Sequence, residues 1–154
     1  MIQRIQSVYF FIAFLLVSIP LIGLTFFSYS WNKVEYHVTA FGIENTLKPE
    51  VTKKGYFILI MLIAVLLIGA IFFFKNRKRQ IMFSWLALIL NLSTTAWIIT
   101  MSIGDSMNCT ECESTSIVPR IGLFLFSSAF IFILLGYNGV RKDEKLVDSL
   151  NRLR

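Results

Sequence analysis

The chain has 154 residues, of which 56% are apolar and only 16% charged, against about 25% charged in an ordinary soluble domain. Mean hydropathy is +0.69, and fifteen phenylalanines are more than the core of one small water-soluble domain encloses. This excludes a cytosolic enzyme, a disordered linker and a disulfide-dense secreted module, and makes lipid the natural solvent for most of the chain.

A helix crossing about 30 Å of hydrocarbon needs roughly 20 mostly apolar residues. The first charge-free run of that length extends from Ile5 to Asn32. Its apolar part exceeds the h-region of a cleaved signal peptide, and no small-residue cleavage site follows. It is therefore expected to be a retained span over residues 8–29, kinked at Pro20, with Tyr29 and Trp31 as interfacial anchors. In the loop that follows (30–54), Val34, Tyr36, Val38 and Ala40 alternate with Glu35, His37 and Thr39. That is the period of a half-buried strand. With Gly42 and Glu44-Asn45-Thr46 to turn the chain, and Pro49 limiting a second strand to an edge, it predicts a short β-hairpin over the helix ends.

The second span, 55–75, has no polar face at all, which separates it from an amphipathic helix of a soluble protein. A short loop at 76–80 follows. Lys75, Arg77, Lys78 and Arg79 place four cations in five residues around it. The third span, 81–103, holds most of the intramembrane polarity. Ser84, Asn91 and Thr95 are spaced seven and four apart and so share one helix face. That face is expected to pack against the fourth span or another neighbour, with a small-molecule or lipid cavity near Asn91 and Thr95 as the alternative. In the loop at 104–118 lies Cys109-Thr110-Glu111-Cys112. One cysteine pair with no nearby histidine cannot close a four-ligand zinc site. A local disulfide, two idle thiols and thiol–disulfide exchange stay open. Four-span quinone-coupled thiol oxidoreductases carry such a pair at a helix mouth but need a second exchanging pair, and this chain has two cysteines in all.

The fourth span, 119–140, carries Ser127 and Ser128 near mid-depth with Gly122, Ala129 and Gly136 as small residues. The tail, 141–154, sets Leu146, Val147, Leu150 and Leu153 at helical spacing among Arg141, Lys142, Lys145, Arg152 and Arg154. With four crossings, the N-terminus, the 76–80 loop and the tail share a side and hold ten of the fifteen cations. Lysine and arginine are retained on the cytoplasmic side, so both termini are expected there. The formal charge of +6 then reflects topology, with anionic headgroups rather than nucleic acid as its counterpart. The inner basic collar comprises Lys75, Arg77, Lys78, Arg79, Arg141, Lys142 and Lys145. No span core contains Asp, Glu, Lys, Arg or His. A proton relay, a voltage sensor, an intramembrane metal centre and histidine-ligated haem therefore lack their essential groups.

The opening Met-Ile-Gln-Arg-Ile-Gln, leading straight into the first span, and the closing RKDEKLV…RLR resemble a family of small four-span membrane proteins of Bacteroidota-type bacteria, a domain of unknown function. The resemblance covers the whole chain and implies an inner-membrane location. It carries over no catalytic residue.

The expected fold is an all-α membrane protein: a four-helix transmembrane bundle, N-in and C-in, with a short outer β-hairpin between helices 1 and 2. The expected role is non-catalytic and without cofactor or metal. It is that of an accessory or scaffold subunit of a larger inner-membrane complex, whose partners are the bilayer and another membrane protein or a second copy. Thiol–disulfide exchange at Cys109 and Cys112 is the enzymatic alternative.

Overall fold

The computed structural model describes residues 2–31, 34–45, 52–53, 56–107 and 117–152. Four helices carry most of them: α1 (Ile2–Ser18), α2 (Tyr56–Phe72), α3 (Arg77–Met107) and α4 (Ile121–Arg152). Five short strands make one sheet: β1 (Phe27–Trp31), β2 (Val34–Val38), β3 (Gly42–Asn45), β4 (Thr52–Lys53) and β5 (Val118–Pro119).

α1 buries Gln6, Phe10, Ala13 and Val17, positions spaced three and four apart and therefore on one face. The expected first span does not run to residue 29. The helix tightens into a 3-10 turn over Ile19–Ile22 and stops at Gly23, whose φ of 99° lies in the left-handed region that a glycine adopts without a Cβ clash. Pro20, which has no N–H to donate, thus ends the helix rather than kinking it. After Leu24, Thr25 and Phe26, the residues Phe-Ser-Tyr-Ser-Trp alternate aromatic with serine and form β1. Tyr29 is accordingly not an anchor at the helix end. It is buried in the sheet and stacked on Tyr36 at 5.2 Å, the neighbour directly across the strand pair.

The sheet is also larger than a hairpin. Its order is β4-β3-β2-β1-β5, antiparallel throughout. β5 comes from beyond α3, and Phe27 pairs with Pro119 and Ser28 with Val118. Proline sits on this outermost strand, where a missing donor costs no ladder bond.

α2 continues through a 3-10 turn, Phe73–Lys75, and α3 starts one residue later at Arg77, so little of the expected 76–80 loop is loop. The helices pack in a ring, with α1 against α2 and α4, and α3 against α2 and α4. Gln6 Nε2 donates to Asp143 Oδ2 at 2.6 Å, and Arg77 Nη1 to the Asp143 carbonyl at 3.1 Å. The start of α1, the start of α3 and the later part of α4 therefore share one end. At the other end, Gly122 N donates to the Thr25 carbonyl at 3.1 Å, Phe26 meets Phe126 edge-on at 6.0 Å, and Phe41 stacks on Phe57 at 5.4 Å. The sheet caps that end.

The helix exterior is apolar. Ile58 is 70% exposed and Phe72 74%, and Phe11, Val65, Leu92 and Ile131 join them. Three helical stretches are long and apolar enough to cross a membrane: Ile5–Ile22, Arg77–Gly104 and Ile121–Val147. Tyr56–Phe72 is the shorter apolar helix. α4 runs without a break into the basic tail and leaves Leu146 and Val147 exposed.

Candidate functional site

Polar side chains gather at three levels of the helical body. At mid-depth, Ser84, Asn91 and Thr94 of α3 are all buried, and Thr95 is half-buried. Asn91 reaches across to α4, its Nδ2 donating to the Phe126 carbonyl at 3.4 Å. The hydroxyls beside it turn back onto their own helix: Ser84 Oγ donates to the Gln80 carbonyl and Thr95 Oγ1 to the Asn91 carbonyl at 2.8 Å. This is the habit of helical Ser and Thr one turn along. Asn91 Oδ1 and Thr94 Oγ1 are buried and have no hydrogen-bond partner among the described residues.

An orphaned buried hydroxyl is costly, whereas an isosteric methyl is not. Thr94→Val is therefore expected to stabilise the protein by about 1 kcal/mol. A thermal melt in detergent that moves upward is the check.

At the end opposite the sheet lies the basic collar. Arg77, Lys78 and Arg79 open α3, while Arg141, Lys142 and Lys145 lie on α4 beside Asp143. Arg79 sits over the Phe73 ring, 5.8 Å from its centroid, and Phe73 stacks on Phe83 at 5.3 Å. Lys75 lies in the turn just before α3. Within the collar Gln6, Phe74, Arg77, Gln80, Val140 and Asp143 line a crevice of about 10 Å³, enough for one water. Sequence spacing picks out the cations but not Gln6 and Asp143, which together with Arg77 fasten α1, α3 and α4 to one another. A glutamine one turn into a hydrophobic helix was the available signal.

At the sheet end, Arg120 immediately precedes α4. Its backbone N–H donates to the Phe26 carbonyl at 2.9 Å and its Nε to Ser28 Oγ at 2.7 Å. Ser28, Tyr29, Ser30, Glu35, Val118 and Arg120 line an open cleft of about 100 Å³. His37 Nε2 lies 3.8 Å from Glu35 Oε2, beyond hydrogen-bond reach. Arg120 falls at the very start of the expected fourth span, 119–140, where a lone cation reads only as a flanking charge.

Cys109 and Cys112 lie outside the described residues. Among the described residues, no three His, Cys, Asp or Glu side chains come together as metal ligands.

A family model for a domain of unknown function, DUF4293, matches residues 2–153, the chain from its opening motif through its tail. The chain belongs to the DUF4293 family. This agrees with the whole-chain resemblance read from the two end motifs and assigns DUF4293 no chemistry. No curated protein matches the chain.

Proposed function

We propose that this DUF4293 chain is a non-catalytic, multi-pass inner-membrane protein that acts by association, as an accessory or scaffold subunit of a larger membrane complex. One observation carries the reading. The four packed helices enclose only amide and hydroxyl groups at mid-depth, Ser84, Asn91 and Thr94, while every Asp, Glu, Lys and Arg of the helices lies toward an end. None of these groups ionises near neutral pH, whereas the apolar exterior is suited to lipid and to other helices.

In this proposal the chain crosses four times as a four-helix bundle. α1 and α3 begin at the same end, so the segment between them returns across the full thickness. α2 with its 3-10 turn rises about 31 Å, which matches the roughly 30 Å of hydrocarbon. The ten cations of the N-terminus, the α2–α3 junction and the tail set that end in the cytoplasm, and the sheet faces outward.

Affinity purification at native expression after mild detergent solubilisation tests the role, and reporter fusions at residues 76 and 154 test the orientation. The expected result is a stoichiometric membrane-protein partner, or a second copy, with both fusions reporting cytoplasm. Recovery of a lone monomer, with crosslinking in intact membranes finding no neighbour, overturns the role. An external reporter at either position overturns the topology.

A further inference from the structure

The junction between α2 and α3 concentrates positive charge that the scaffold role leaves unused. From Val51 to Gly104 the sequence contains no Asp or Glu, so Lys75, Arg77, Lys78 and Arg79 have no acidic partner on either helix they join. The acids of this end, Asp143, Glu144 and Asp148, are all on α4. Asp143 is already engaged, its Oδ2 accepting from Gln6 and its carbonyl from Arg77. Lys78 and Arg79 are exposed, and among the described residues neither side chain makes an ion pair or a hydrogen bond.

Arg79 is nevertheless held in place. Its guanidinium lies over the Phe73 ring, 5.8 Å from the centroid. Phe73 stacks in turn on Phe83, with the two planes 9° apart. Phe83 rests on the backbone of α2 at Gly69, where a Cβ would stand 3.7 Å from the ring. The guanidinium is thus the top layer of a stack rooted in the α2–α3 seam. Stacking uses the face of the guanidinium and leaves the N–H donors around its edge for a forked acceptor. Toward mid-depth the surface turns to hydrocarbon. Met82 and Leu86 follow Arg79 on the same face of α3 and are 51% and 41% exposed, and Phe72 of α2 is 74% exposed.

We propose that this seam binds the headgroup of an anionic phospholipid, with the phosphate on Arg79 and Lys78 and the acyl chains over Phe72, Met82 and Leu86. The inference rests on the membrane-spanning reading above and adds one defined seat to it. A basic collar attracts anionic headgroups in general. Here one guanidinium is fixed beforehand, so the phosphate meets a charge-assisted, forked donor that need not be ordered on binding. A zwitterionic headgroup fits less well, because its ammonium would enter a cationic segment with no carboxylate on either helix.

The test uses the full chain in mild detergent, titrated with phosphatidylglycerol and with phosphatidylethanolamine and read by native mass spectrometry. Phosphatidylglycerol is expected to bind about tenfold more tightly than phosphatidylethanolamine. Arg79→Gln is expected to weaken phosphatidylglycerol about tenfold, and Arg79→Lys, which keeps the charge but not the fork, to recover part of that loss. Lys145→Gln removes the same charge from the tail and is expected to change binding less than about twofold. Millimolar inorganic phosphate is expected not to displace the lipid, which separates a headgroup site from a free-phosphate site. Equal losses in Arg79→Gln and Lys145→Gln would reduce the seat to the general attraction of the collar and overturn the proposal. So would equal binding of the two lipids by the wild type, or displacement by phosphate. The reporter fusions test the crossings independently, so a protein that passes them and fails here loses the lipid seat and keeps its topology.

Discussion

Gly122→Ala is expected to lower the melting temperature of the protein by several degrees. The added Cβ would stand 2.6 Å from the Thr25 carbonyl oxygen and 3.0 Å from its carbon. These are backbone atoms and cannot swing aside. The main chain there is held on both sides, by Phe26 N donating to the Val38 carbonyl at 2.7 Å and Arg120 N donating to the Phe26 carbonyl at 2.9 Å. Relief therefore moves either the sheet or the start of α4, at about 1–3 kcal/mol for overpacking. The bond from Gly122 N to the Thr25 carbonyl adds about 1 kcal/mol if it breaks. Gly104→Ala is the control. A Cβ at that position would meet nothing within 4 Å among the described residues, and alanine favours the helix over glycine by about 1 kcal/mol, so its melt is expected to stay put or rise. A Gly122→Ala protein that melts with the wild type would refute the close approach of α4 to the α1–β1 connection.

The second large effect is at the opposite end. Asp143→Ala removes the acceptor of the Gln6 amide, a bond of 2.6 Å, and Gln6 is only 5% exposed. Its amide is then buried without a partner, at a cost of about 1–3 kcal/mol. The Arg77 bond goes to the Asp143 carbonyl and survives. Gln6→Leu is expected to cost less, because the half-buried Asp143 carboxylate it leaves behind turns to water. Asp143→Ala combined with Gln6→Leu is expected to recover much of the single loss, since neither polar group is then stranded. Melting curves of the four proteins form a double-mutant cycle. Additive losses would show that the two side chains do not act as a pair.

Charge-free length marked all four helices in the sequence, and their packing brings the cationic segments of α3 and α4 to one end because the chain reverses at each turn. The end of α1 was not legible by that measure. Phe-Ser-Tyr-Ser-Trp has no charge to break a hydropathy window, and its strand character lies in a period of two, easily lost inside an apolar run. β5 was hidden for another reason: two residues, Val118 and Pro119, carry no pattern of their own and become a strand only because β1 offers an edge. At the candidate sites, spacing put Ser84, Asn91 and Thr95 on one face. It does not tell whether a hydroxyl bonds across to a neighbour or back to its own carbonyl, because both choices keep the same periodicity. Gln6–Asp143 and Arg120–Ser28 join residues far apart in the chain, and contacts of that kind are decided by the packing of whole helices.

The position of β5 also has a consequence for biosynthesis. β1 and β5 are about ninety residues apart, with two apolar helices synthesised between them. A nascent chain that has released β1 to β4 keeps one flank of that ribbon unpaired until α3 is in place and the start of α4 emerges. Closure of the ribbon is therefore a late event, and it is available only to polypeptides whose third helix has brought the start of α4 back to the sheet end.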